Sequence, residues 1–429
     1  MSGEKFEVRA RHWGSLLVCC ALAAGCGDDD SSASDAGSAG AAANGGSAGE
    51  AQGGGNQSGT GSAGGGGSGA GGTGATAAGS GASGAGSGAG AGGMTTPNDN
   101  LPAAGNPDGK CEIPAEARAE DTSNPTRKVG TGTPASCTSD AFVSAVAQGG
   151  IITFDCGPAP VTIKLTQTAK VVNDKGPKIV IDGGNKVTLS GDDKVRILYQ
   201  NTCDEKQKWT TAHCDDQDSP QLTVQNLTFV HGTAKGLKDP DGGGAIFVRG
   251  GRFKIVNSRF FNNTCDDFGP DVGGAAVRTF DQYQDKPVYV VNSTFGGRTD
   301  LGNVCSNGGG LSSIQVSYTV LNSLFSYNKA IGSGANPMRS GTKGGGSGGA
   351  IYNDGNDYTL TICGTRIENN TANEGGGAVF YVSNDDTGTL IFKDSVLKAN
   401  PSKGFETAPY KGVFVKTDEP VQASGTTFE

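Results

Sequence analysis

A short pattern returns seven times between Leu222 and Glu429, and no other feature of the chain restricts its fold as much. The pattern is apolar, any, apolar, any, Asn, any, any, Phe. Four copies carry it in full: Leu222, Val224, Asn226, Phe229; Phe253, Ile255, Asn257, Phe260; Val288, Val290, Asn292, Phe295; and Tyr318, Val320, Asn322, Phe325. Three more keep the register with Gly364, Asp394 and Gly425 at the Asn place and Ile367, Leu397 and Phe428 at the Phe place. From Asn226 these sites lie 31, 35, 30, 42, 30 and 31 residues apart, and a period of about 30 marks a solenoid. Apolar residues two apart describe a strand with one buried face, and the three-residue step at the Asn marks a corner. One copy cannot bury its face alone. Stacked copies cover one another and pair their backbones about 4.8 Å apart.

The corner residues Asn226, Asn257, Asn292 and Asn322 are expected to stack as a ladder of mutually hydrogen-bonded amides. It should weaken at Gly364, Asp394 and Gly425. A second Asn follows the Phe place by three in most copies (Asn263, Asn328, Asn370, Asn400), and a Gly pair such as Gly243-Gly244 or Gly348-Gly349 opens the next strand. Glycine there admits positive φ and a close approach of neighbouring coils. No strand followed by a helix accompanies these glycines, so they form no nucleotide motif.

Phe-x-x-Asn combined with Gly-Gly-Ala-Ile resembles the repeat of the chlamydial polymorphic outer-membrane proteins, and more broadly the pectin-lyase superfamily, from about Ser136 to Glu429. The resemblance implies an all-β fold, a single-stranded right-handed parallel β-helix. It leaves the activity open, because that superfamily includes lyases, hydrolases, adhesins and structural spikes. Many of its enzymes hold calcium with Asp residues on successive coils and use an Arg or Lys as base, a part that Arg278 or Arg298 could take here. The enzyme motifs themselves, Asn-Thr-Asp, Gly-His-Gly, Arg-Ile-Lys and Arg-x-Pro-x-x-Arg, do not occur.

Residues 1–25 read as a lipoprotein signal peptide. Lys5, Arg9 and Arg11 precede a short apolar core, and Leu22-Ala23-Ala24-Gly25-Cys26 is similar to a lipobox in which Cys26 is acylated. Two acyl chains would hold the chain on a membrane where one would not. Residues 26–109, rich in Gly, Ser and Ala, cannot bury enough surface to offset their ordering entropy and form a disordered linker. Such a linker spans about 50 Å. Residues 110–429 are then the β-helix domain. A short amphipathic helix at Ala141 to Ala147, capped by Thr138 or Ser139, is expected to close its amino-terminal end, with Phe142 and Val146 on one face. Strands at Ile151, Val161, Lys178 and Val187 precede the seven copies and bring the stack to about nine coils.

A net charge of −9 with no basic block argues against nucleic acid as a partner. Eight cysteines lie beyond the signal region, an even number that suits disulfides in an exported protein. Proximity pairs Cys137 with Cys156, Cys203 with Cys214 and Cys265 with Cys305, leaving Cys111 and Cys363. Of the histidines, only His213 and His231 lie beyond the leader, and neither stands in a nucleophile motif. Acids are the better candidates. Asp239 and Asp241 precede one Gly run and Asp266, Asp267 and Asp271 the next, so stacking brings them to one edge, where Asp266, Asp267 and Asp271 could hold calcium. No other cofactor is implied. The loops Ala330 to Ser347, with Arg339 and Lys343, and Asp204 to Ser219, with Trp209, are candidate recognition elements. The reading is a non-catalytic lipoprotein of a Gram-negative outer membrane or cell surface that displays its β-helix for adhesion or for binding a polysaccharide or envelope component. Its alternative is a calcium-dependent polysaccharide lyase or a glycoside hydrolase.

Overall fold

The computed structural model describes residues 101–238 and 240–429. The expected leader with Cys26, the low-complexity segment through residue 100, and Asp239 lie outside the described residues. The described chain is almost entirely β, with parallel pairings throughout sheets of 17, 8 and 3 strands. Each strand of a copy pairs with its equivalents one period away. Arg252–Val256, for example, lies between Gln221–Val230 and Val288–Val291, with Ile255 beside Val224 and Val290. This arrangement is consistent with a parallel β-helix. The apolar positions of the pattern point inward, and Val224, Ile255, Val290 and Val320 are fully buried. Phe229, Phe260, Phe295 and Phe325 stack face to face at 4.9, 4.6 and 4.5 Å.

The corner works differently from the expected amide ladder. Asn226, Asn257, Asn292 and Asn322 all adopt left-handed backbone, with φ of 55, 48, 46 and 50°, as do Gly364, Asp394 and Gly425 at 59, 47 and 59°. Asn, Asp and Gly are the residues that tolerate this conformation, which explains why they interchange here. Their side chains form only a fragment of a ladder. Asn257 donates to Asn226 at 3.3 Å and Asn226 to Asp182 at 2.9 Å, whereas Asn322 turns outward and exchanges two 2.9 Å bonds with the backbone of Cys111.

The continuous ladder is the second Asn row, completed by Asn303, which an insertion after Phe295 shifts out of the three-residue spacing. Asn263, Asn303, Asn328, Asn370 and Asn400 are buried, and each Nδ2 donates to the next Oδ1 at 2.8 or 2.9 Å. The same amides donate to the carbonyls of Phe229, Phe260, Phe295, Phe325 and Ile367 one coil back. A hydroxyl row runs beside it. Ser258, Ser293, Ser323, Thr365, Ser395 and Thr426 each accept the backbone N–H of the corresponding residue in the preceding coil. Gly243, Gly274, Gly308, Gly348 and Gly376 fill one further column, with φ between 52 and 70°. A Cβ at Gly348 would lie 2.4 Å from the Ile351 carbonyl oxygen, so this turn excludes any side chain.

The helix forms over Ser139–Gln148, capped by Thr138, whose side chain accepts from the Ala141 N–H, and it buries Phe142 and Val146 against the first strands of the stack. The eight cysteines sit in four disulfide pairs. Cys137 with Cys156, Cys203 with Cys214 and Cys265 with Cys305 have Cα atoms 5.6, 4.9 and 4.8 Å apart. Cys111 and Cys363 form the fourth, at 6.0 Å. That last pair fastens a strap. Residues 101–122 run across the outside of the large sheet, beginning nine residues before the domain boundary placed at 110. Gly105 donates to Thr294, Asn106 to Gly364 and Thr122 to Asp182. Ile113 and Ala117 of the strap pack over Val256, Val291 and Leu321, an outward apolar stripe that would otherwise face water.

Candidate binding surfaces

The 8-stranded sheet presents one outward column through Tyr199, Phe247, Arg278, Ser312, Tyr352, Phe380 and Phe414. Pleating turns alternate residues to this side, so the long side chains meet their equivalents in the next coil. Arg278 lies at the centre and is 1% exposed. Its Nη1 donates to Ser312 at 2.6 Å, its Nη2 lies 3.6 Å from Asp241, and its guanidinium covers the Phe280 ring at 4.8 Å. The Nε of Arg278 makes no hydrogen bond. Burial pushes the Arg278 guanidinium down and the Asp241 carboxyl up from their ordinary values. Beside them Asn336 donates one amide to Asp271 at 2.7 Å, to Tyr352 at 3.2 Å and to Asp354 at 3.3 Å. Burial raises the Asp354 carboxyl, against hydrogen bonds from Asn384 and Tyr352.

The three acids singled out as calcium candidates each engage a different neighbour. Asp266 accepts the Gly236 N–H, Asp267 pairs with Lys235 at 2.8 Å, and Asp271 holds Asn336. Among the described residues these three carboxylates are not gathered within ligand distance of one another; the two three-ligand groups that are gathered both contain a disulfide. Each Asp instead satisfies a neighbouring segment, since Gly236, Lys235 and Asn336 all lie outside the turn that carries the three acids. Arg278, enclosed by Asp241 and Ser312, cannot reach a polymer as a base. Arg298 forms a paired contact with Asp300 at 2.6 Å on the surface. In the insertion 330–347, Arg339 makes two 2.8 Å bonds to Glu374, and Lys343 covers Phe268. Met338 at its tip is exposed. His231 contacts Asp193 at 3.2 Å, and Trp209, within the loop that Cys203 and Cys214 close, is 45% exposed.

Asp281 stands out electrostatically. Burial, with Asp215 and Asp285 nearby, pushes its carboxyl up to about 6, against Arg249. The folded protein therefore holds a proton there that the unfolded chain releases nearer pH 4. The stabilisation is full below the unfolded value and is lost as pH rises through about 6. Asp281→Asn should stabilise the protein by about 1 kcal/mol at pH 7.5, less than the full shift because the site is partly exposed, and by only about a third of that at pH 4.5. Thermal melts of both proteins at the two pH values check this; an equal difference at both would remove the carboxyl as its cause.

A cleft of about 620 Å³ opens on the large sheet, between the strap and the strands Gln221–Val230 and Arg252–Val256. Lys178, Arg252, Lys254 and Lys286 line it with Glu116, Glu120 and Tyr289. The sequence spreads these cations over three segments, Lys178, Arg252 with Lys254, and Lys286, with no basic block to mark them. No described helix is long and apolar enough to cross a membrane. Comparison of the chain with protein-family models, with curated proteins and with solved structures finds no match.

Proposed function

We propose that this chain is an exported lipoprotein, acylated at Cys26, whose right-handed parallel β-helix serves as a rigid, non-catalytic display module at a Gram-negative outer membrane or cell surface. It binds a polysaccharide or another envelope component. The observation that supports this most is the commitment of the domain to rigidity. A buried amide row, a hydroxyl row and a phenylalanine stack cross successive coils in register, and four disulfides tie loops and strap to them. The residues that the pectin-lyase resemblance suggests for catalysis are engaged with protein partners. Fractionation of cells carrying wild type and Cys26→Ser tests the anchor. Wild type is expected with membranes and the variant in the soluble fraction; finding both soluble would end the lipoprotein reading.

A second reading, glycoside hydrolysis, has one observation in its favour. Asp271 and Asp354 accept from the same Asn336 amide, which brings their carboxylates to about 6 Å or less of each other, near the spacing of a retaining pair at about 5–5.5 Å. Burial of Asp354 suits the acid of such a pair. Asn336 fills the gap between them, which favours the binding reading. Reducing ends released from a polysaccharide by wild type and not by Asp354→Asn would reverse that preference.

A further inference from the structure

We propose that Asp215 and Asp281 form a pH-sensitive clasp on the loop 203–220, which is seated on the stack in acid and tilts free as the medium becomes neutral, changing how Trp209 is presented. The inference goes beyond the display reading and does not depend on it. Cys203 and Cys214 close this loop, and Trp209 is its one large apolar side chain exposed to solvent.

The return limb of the loop, residues 215–218, is fastened to neighbouring coils through its carboxylates. Asp215 lies 3.3 Å from Nη2 of Arg249, Asp216 accepts the Gln284 N–H at 2.9 Å, and Asp218 pairs with Arg252. Arg249 must also serve Asp281, whose carboxylate is 4.0 Å from its Nε. The Asp215 and Asp281 carboxyls meet in a hydrogen bond, and such a bond exists only while one of them carries a proton. Arg249 faces Asp281 from the strand Ile246–Arg249, Asp215 from the loop and Asp285 from the following turn, while the next coil continues from Leu311–Ile314 into the uncharged Gln315. One cation therefore stands against three acids.

Burial, and after it the charge of Asp215, raises the Asp281 carboxyl to about 6, so the shared proton leaves near that pH. Two ionised carboxylates held at hydrogen-bond distance repel each other. The clasp then works against the loop it held. Because the disulfide ties both limbs into one unit, release of residues 215 and 216 tilts the loop as a whole, and the Asp218–Arg252 pair beyond them stays as the hinge. The seat beneath gives little resistance. Asn173 donates to the Trp209 carbonyl at 2.7 Å, but its own Oδ1 and the Oε1 of Gln217 are buried without a hydrogen-bond partner among the described residues. Water admitted by a tilted loop reaches both oxygens, which offsets part of what the tilt breaks.

Acrylamide quenching of tryptophan fluorescence tests the proposal on the full chain carrying Trp13→Phe, which leaves Trp209 as the single tryptophan. Across a pH series from acid to neutral, the quenching constant is expected to change in one step with its midpoint at about 6. In Asp281→Asn, whose amide donates to Asp215 at any pH, the step should vanish and quenching should stay at the acid value. In Asp215→Asn the midpoint should move toward the ordinary carboxyl value of about 4. His213→Gln is the control, since an unperturbed histidine titrates at about 6.5 and this one shares the loop with Trp209; its step should match that of the parent chain. Melting temperatures confirm that each variant folds. A parent chain without the step, a step that persists in Asp281→Asn, an unmoved midpoint in Asp215→Asn, or a step lost in His213→Gln would each overturn the clasp.

Discussion

Asn328→Leu is expected to lower the unfolding free energy by about 3–5 kcal/mol, the range in which a broken buried polar network belongs. The side chain has similar volume, so packing is not the main loss. Asn328 accepts from both the backbone and the side chain of Asn303, and donates to Asn370 and to the Phe295 carbonyl. Leucine leaves each of those four groups buried beside a methyl. Since the row runs through five coils, the fault also separates the stack into an upper and a lower part, and unfolding should broaden or split instead of remaining a single transition. Asn292→Gly is the control. Asn292 needs only left-handed backbone, φ 46°, which glycine adopts freely, as Gly364 and Gly425 do in the later copies; a change within about 0.5 kcal/mol is expected. Denaturant unfolding of the two variants beside wild type separates a ladder residue from a corner residue. Equal losses would mean that both rows matter alike.

Replacing Cys111 and Cys363 by Ser should cost about 5 kcal/mol under the chain-entropy account of disulfides, because the two cysteines are 252 residues apart in sequence. The same account gives about 3 kcal/mol for Cys203 and Cys214, 11 residues apart. The larger consequence is local. Without the bond the strap is held only by non-covalent contacts, among them those of Gly105, Asn106, Glu120 and Thr122, and opening it uncovers Val256, Val291 and Leu321. Limited proteolysis should then cut between residues 101 and 122 before any cut in the repeats, and a hydrophobic dye should bind. A strap equally resistant with and without the bond would show that its polar contacts suffice.

The period of the repeat made the stacked parallel strands, the inward Phe row and the helix at Phe142 and Val146 legible, since each depends on side chains whose spacing along the chain is their spacing in the fold. Three of the four disulfides followed from proximity for the same reason. The corner was misread because Asn is favoured twice in such a coil, once for its tolerance of left-handed backbone and once for its amide, and the pattern alone does not say which use applies. The replacements did carry the signal: Gly364 and Gly425 can share a backbone conformation with Asn226, but not a hydrogen-bonded ladder. The hydroxyl row was also visible, as Ser or Thr after the corner in Ser258, Ser293, Ser323, Thr365, Ser395 and Thr426. Similarly, Val256, Val291 and Leu321 precede the corner where an outward residue should be polar, and Cys363 continues that column beneath the strap. The candidate sites were harder to see. Asp354 and Asp271 meet only through Asn336 of an insertion, and the cleft needs Glu120 and Lys254 side by side although 134 residues separate them.

The strap also determines how the domain bears a mechanical load. Pro102, Ala103 and Gly105 touch the coil of Thr294 and Gly297, partway along the stack, so the chain enters the solenoid from its flank. Tension applied at Leu101 is carried through the bonds of Gly105 and Asn106 and then through Cys111 into Cys363. Residues 112–362 lie within the covalent ring that this bond closes. Once the Gly105 and Asn106 bonds have parted, a pull between Leu101 and the chain beyond Cys363 runs through the disulfide, and the coils that form the cleft are not drawn out of the stack.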